Sequence, residues 1–238
     1  MWGSVNGAAK MADPAAGADR RAMDAAGPLS LRELMFQFES LGQNCEFGLV
    51  QRRCRAEPLG LLRFASTPLP HLLQALEHRF EGLGTPDAIR VEVSRNGREY
   101  MVSDTRYGLL YHAWVKVEDM PAEQVHRREA RRVPVLVRKL IEDLEAAEKI
   151  FVFKGMGAVS EEEALPLAAA IRRYGPNTLL LVTLADPDHP AETVEWRTPG
   201  LMIAHIARFA PERDAHDLLL ESWVRICSEA YRLRFAAR

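Results

Sequence analysis

The chain has 238 residues, 47% hydrophobic and 27% charged, the balance of a globular protein long enough to bury a substantial core. Its formal net charge of −2 excludes a global attraction to nucleic acid or to anionic lipid, so neither is an expected partner. No apolar run approaches the roughly 20 residues of a membrane span and no compact apolar signal core opens the chain, which predicts a cytoplasmic protein.

Residues 1–28 are rich in Ala, Gly and Asp without a sustained apolar period, and are read as a flexible tail ahead of a single α/β domain over 29–238. Met11 and Met23 leave two later translation starts open. Residues 31–41, LRELMFQFESL, predict a short helical lead-in followed by a strand, closed by Gly42. A helix is predicted from Asn44 to about Arg53 with Asn44 as N-cap, and a second opens near Pro70 in PHLLQALEHRF.

IRVEV and REYMVSD flank Arg95-Asn96-Gly97, a strong hairpin signal, and LLYHAWVKV reads as a third strand. Residues 122–147 carry Val133, Leu136, Val137, Leu140 and Leu144 at helical spacing, an amphipathic helix that Pro134 is expected to kink or divide.

KIFVF, then SEEEALPLAAAIRRYG with Ser160 and Glu163 as a capping box, then NTLLLVTL, read as strand, helix, strand: a βαβ unit with a parallel pair. GLMIAHIARF adds a strand, and DAHDLLLESWVRICSEAYRL a closing amphipathic helix. The predicted fold is a three-layer α/β domain with a partly parallel sheet and an inserted β-hairpin or meander.

Three cysteines, Cys45, Cys54 and Cys227, are odd in number and lack C-x-x-C spacing, which argues against a disulfide framework and a zinc cage. At about 100° per residue Phe47, Val50 and Cys54 share the inward face of the Asn44 helix, and Cys45 falls outside it. Cys54 and Cys227 are therefore expected in the core. Two readings of Cys45 stand at even weight. It is a thiol activated by the first turn of a helix, whose dipole favours thiolate and lowers its pKa, or a small residue packed at a strand–helix junction.

A nucleophilic cysteine needs a base, and among seven histidines His112, on a predicted strand, is the first candidate, with His205 behind it. Asp186, in the loop ADPDHP beyond a parallel strand, is the candidate orienting carboxylate, although a polar turn is the commoner role for such a loop. Arg127, Arg128, Arg131 and Arg132 in HRREARR could grip a phosphate, but Glu129 and the acidic overall balance favour a solvated face. No phosphate-binding glycine loop, dinucleotide fingerprint, H-E-x-x-H or G-x-S-x-G occurs, so no cofactor and no metal is expected.

SLGQNCEFGLVQRR and EPLGLLRFAS resemble the opening of a bacterial domain family of unknown function labelled papain-like cysteine peptidase. The likeness continues through His112 on its aromatic-rich strand, the arginine-rich helix and EKIFVF, over roughly residues 36–155. It implies Cys45 as nucleophile and His112 as base. PLGLLRF stands where that family carries a Pro-Phe-Asp-Trp-like segment, and Ala113 where an acidic or amide residue is common. Similar segments accompany glycan-modifying enzymes.

The expected function is thus a cysteine-dependent hydrolase or acyl transferase acting on a small-molecule, peptide or glycan substrate. The alternatives are a non-catalytic α/β binding module, and a transferase for an activated sugar in surface-glycan synthesis. Asn44, Arg52, Arg53 and Arg63 are the candidate substrate-binding residues, the arginines holding a phosphate in the transferase reading.

Overall fold

A computed structural model of the chain describes residues 29–211 and 214–235. The tail expected over 1–28 lies outside the described residues.

Helix α1 (Leu31–Phe36) is opened by a capping box that sequence reading did not single out: Ser30 Oγ accepts from the Glu33 N–H at 3.2 Å, and the Glu33 carboxylate accepts from the Ser30 N–H at 2.9 Å. Strand β1 (Phe38–Ser40) follows, and then α2 (Glu46–Arg53), β2 (Ala65–Ser66) and α3 (Leu69–Glu77). The expected meander is present as β3 (Ile89–Val93), β4 (Glu99–Asp104) and β5 (Leu109–Lys116). Gly97 supplies the positive φ, 73°, that the turn between β3 and β4 needs.

Helix α4 (Ala122–Ala146) runs unbroken through Pro134, so of the two expected effects, a kink or a division, the division does not occur. A proline removes one intrahelical bond, whereas the buried stripe of Val133, Leu136, Leu140 and Leu144 holds the helix on both sides of it. The chain continues through β6 (Ile150–Phe153), α5 (Glu161–Arg172), β7 (Thr178–Leu184), β8 (Val194–Thr198), β9 (Leu201–Ile206) and α6 (Leu220–Phe235). Ser160 and Glu163 form the expected capping box on α5. The final helix starts later than read, at Leu220, and β8 was not foreseen.

Two sheets result. The first has the order β1-β6-β7-β9-β8, parallel except for β8, which pairs antiparallel with β9. The second, β2-β5-β4-β3, is antiparallel throughout. Successive residues of a strand face opposite sides, and the core divides accordingly. Phe38, Ile150, Val152, Leu180 and Met202 pack with α1, α2 and α6, while Phe151, Phe153, Leu179, Leu181 and Leu201 pack with α3, α4, α5 and the second sheet. This is the expected α/β layering, with a meander grown into a four-stranded sheet. Among the described residues no helix is long and apolar enough to cross a membrane.

Candidate active site

The segment SLGQNC forms a turn from the carboxyl end of β1 into α2. Gly42 (φ 87°) and Gln43 (φ 64°) both take left-handed backbone, which costs Gln43 of the order of 1–3 kcal/mol unless its surroundings hold it there. They do: Ser40 Oγ accepts from the Gly42 N–H at 3.2 Å, and Gln43 Oε1 accepts from the Met156 N–H, beyond β6, at 3.1 Å.

Cys45, rather than Asn44, occupies the cap position of α2. Asn44 still serves the first turn, since its Oδ1 accepts from the Glu46 N–H at 3.0 Å. Its side-chain NH2 has no protein acceptor among the described residues.

Cys45 is partly buried, and its thiol faces the Phe64 carbonyl at 3.7 Å, the outer limit for an S–H donor. Burial pushes that thiol above its ordinary pKa, and the Arg52 guanidinium pulls it part of the way back. The expected lowering at the helix start is thus overturned: withdrawal from water outweighs a dipole effect that falls off within one turn. Cys54 and Cys227 are buried, as expected, and burial also holds Cys227 far above the ordinary thiol range.

Gly48 is why the Phe64 carbonyl can reach Cys45. A Cβ there would stand 2.3 Å from the Arg63 carbonyl oxygen and 2.7 Å from the Phe64 ring, so only glycine lets residues 63–64 lie on α2.

Cys45 and His112 line one cavity of about 630 Å³, with Asn44, Phe64, Met101 and Lys154 also in its wall. His112 lies on β5, where five residues, 112 to 116, oppose three on β4, 99 to 101. Within this bulge Trp114 has φ 55°, an unusual conformation for a bulky residue. The irregularity brings the Glu99 carboxylate 3.0 Å from His112 Nδ1. A carboxylate only accepts, so Nδ1 is the donor, and in the neutral ring Nε2 is the nitrogen with the free lone pair. Nε2 has no protein partner among the described residues.

Sequence reading missed Glu99. Its signal lies in neither spacing nor motif but in the register shift between β4 and β5. Asp186 is elsewhere: it accepts from His189 Nδ1 at 3.0 Å, in a different cavity that His205 also lines. His205 is buried on β9 with Nδ1 at 3.2 Å from Thr193 Oγ1.

The arginines separate. Arg63 is buried and spent on Glu57 and on the carbonyls of Gly48 (3.2 Å), Ala56 (2.9 Å) and Pro58 (3.3 Å), so it pins the segment after α2 instead of offering its charge to a ligand. Arg53 is exposed and lines neither cavity that contains His112. Arg52 lies over the Phe64 and Trp114 rings, 4.6 and 5.2 Å from their centroids.

The HRREARR segment is not a uniformly solvated face either. Glu129 is fully buried and accepts from Tyr111 Oη (3.1 Å), Arg128 Nε (2.8 Å) and Arg132 Nη1 (3.0 Å), which ties α4 to β5. Behind Cys45, Glu46 is buried between Trp223 Nε1 (2.9 Å) and Lys154 Nζ (3.2 Å). No group of three or more His, Cys, Asp or Glu able to hold a metal occurs among the described residues.

The chain matches no protein-family model, no curated protein and no solved structure.

Proposed function

We propose that the chain is a cysteine hydrolase or acyl transferase, with Cys45 as nucleophile, His112 as general base and Glu99 orienting the base. What carries the reading is that Cys45 and His112, distant in sequence, share one cavity wall while Glu99 fixes the tautomer that leaves Nε2 basic.

Burial raises the Cys45 thiol above its ordinary pKa, which favours the thiol over the thiolate before substrate attack. Deprotonation accompanies attack. His112 Nε2 takes the Sγ proton as the Sγ–carbon bond forms and the carbonyl electron pair moves onto oxygen. The Asn44 NH2 and the Cys45 N–H, both without protein acceptors among the described residues, are the donors nearest in sequence to that developing oxyanion. Collapse re-forms the carbonyl and expels the leaving group, which receives the proton from His112. Water or an acceptor nucleophile then attacks the thioester, giving its proton to His112, and His112 returns it to Sγ as the Sγ–carbon bond breaks. Amides, esters and thioesters all suit this sequence. The resemblance to papain-like cysteine peptidases agrees with the same pair.

A binding module with a structural Cys45 is the second reading, favoured by the thiol's contact with the Phe64 carbonyl and its raised pKa. Labelling with iodoacetamide, read by peptide mass spectrometry with Cys54 and Cys227 as internal controls, separates the two. The enzyme reading expects Cys45 labelling at pH 7 to fall at least tenfold in His112→Ala. A rate indifferent to His112 would sink it. A Cys45→Ser variant that folds but loses all turnover of an ester and thioester panel would complete the case.

A further inference from the structure

A second cavity, of about 310 Å³, adjoins the first and shares Phe64, Tyr111 and His112 with it. Three guanidinium groups line it, those of Arg52, Arg63 and Arg132, against one carboxylate, that of Glu57. Arg63 is consumed by the protein, as described above. Arg52 spends only Nε, on Glu57 Oε1 at 3.0 Å, and Arg132 spends Nη1, on Glu129 Oε2 at 3.0 Å. Both Nη groups of Arg52, and Nε and Nη2 of Arg132, have no protein acceptor among the described residues.

These donors stand beside an apolar surface that packing covers only in part. Trp114 is 54% exposed and Leu59 67% exposed, and both line this cavity. Trp114 is presented there by its left-handed backbone, with its ring 5.6 Å from that of His112 and 5.7 Å from that of Phe64. Strained backbone that displays a bulky side chain to solvent is characteristic of ligand clamps.

We infer that this cavity is a substrate subsite for a carboxylate or phosphate borne on an apolar segment, with Arg52 and Arg132 taking the anion and Trp114 with Leu59 the apolar part. Guanidinium forks suit both anions bidentately, and the positive balance of the lining excludes a cationic group. His112 lies at the junction of the two cavities, so a substrate anchored here has its reacting carbonyl on the Cys45 side. The inference deepens the acyl-transfer reading by naming its substrate class: anionic amides, esters or thioesters. It displaces the expectation that Arg53 and Arg63 hold the anion.

The test is calorimetric titration of the full chain carrying Cys45→Ser with phenylacetate, phenyl phosphate and neutral phenylacetamide. Saturable binding of an anionic probe, at least tenfold tighter than phenylacetamide and weakened at least fivefold by Arg52→Gln, is the expected result. The two anionic arms decide between carboxylate and phosphate. Arg132→Gln is expected to act likewise; because Arg132 also pairs with buried Glu129, Arg52→Gln decides if that variant unfolds. Equal affinity for all three probes, no binding of any, or anion binding indifferent to Arg52 overturns the subsite. Iodoacetamide labelling of wild-type Cys45 is scored separately. Anion selectivity with an unassisted Cys45 leaves the subsite standing and removes the enzyme reading, and the converse removes only the subsite.

Discussion

Glu99 and His112 meet across a bulge, Oε1 to Nδ1 at 3.0 Å, and the side chains are 22% and 38% exposed respectively. A partly exposed pair of this kind contributes little to stability. Its consequence is orientation: with Nδ1–H held, the imidazole presents one nitrogen lone pair, Nε2. Glu99→Gln keeps the size of the side chain but lets the amide present either face to Nδ1. Cys45 labelling by iodoacetamide at pH 7 is therefore expected to fall about tenfold, less than complete loss of general-base assistance would cost because His112 itself remains, while the melting temperature stays within a degree or two. Glu99→Asp should recover part of the rate. A variant that labels as fast as wild type would remove Glu99 from the catalytic set.

Arg52 should set where Cys45 ionises. Burial raises the thiol pKa and the Arg52 cation lowers it, since a nearby positive charge favours the thiolate. Removing that charge in Arg52→Gln leaves burial unopposed, so the midpoint of Cys45 alkylation against pH moves upward from an already raised value. The rate above the midpoint is unchanged. A downward shift would mean that the variant has opened the site to water.

The parts of this site legible in sequence were those with local signatures. The capping box at Ser160 and Glu163, the Asn-Gly turn and the βαβ alternation each follow from residues a few positions apart, and each is present. The strand β8 was missed because an edge strand with half-exposed residues and one bulge carries little apolar period. Glu99 was missed for a related reason, since the register of β4 against β5 is a property of the pair of strands and not of either one. Asp186 was singled out from a rule about strand ends, but several strands end on that side of a sheet, and its own neighbour His189 takes its carboxylate. Arg63 was read as a phosphate holder, whereas its guanidinium is taken up by one carbonyl of α2, that of Gly48, and two beyond it, those of Ala56 and Pro58.

Gly48→Ala offers a test with an unusual sign. In an ordinary helix interior this change stabilises by about 1 kcal/mol. Here the added methyl would meet the Arg63 carbonyl at 2.3 Å and the Phe64 ring at 2.7 Å. The backbone of residues 63–64 must move off α2, carrying away the Phe64 carbonyl that faces Cys45. We expect a loss of about 2 kcal/mol, typical of overpacking, together with faster Cys45 labelling as the thiol gains access to solvent. A stabilised variant would show that this segment is held less firmly than its contacts with α2 imply.

His205 predicts a pH dependence remote from the active site. Thr193 Oγ1 donates to the Pro190 carbonyl at 2.7 Å and so accepts from His205 Nδ1, which fixes the tautomer of the neutral ring. Burial holds its pKa below the ordinary histidine value, helped by His189, whose ring is stacked 4.7 Å away. Asp186 and Glu195 act in the opposite sense, and Arg197 adds to the lowering. The unfolded chain therefore takes up a proton on this residue at a higher pH than the folded one, near the reference value of about 6.5. The stabilising contribution is complete above that value and is lost as pH falls through the lower, folded pKa. Melting temperatures at pH 7.5 and 5.5 should fall further on acidification in wild type than in His205→Asn, whose amide can still donate to Thr193 but does not titrate. Equal falls in the two proteins would mean that His205 is protonated in the folded chain without cost, and that the stacked pair is open to water.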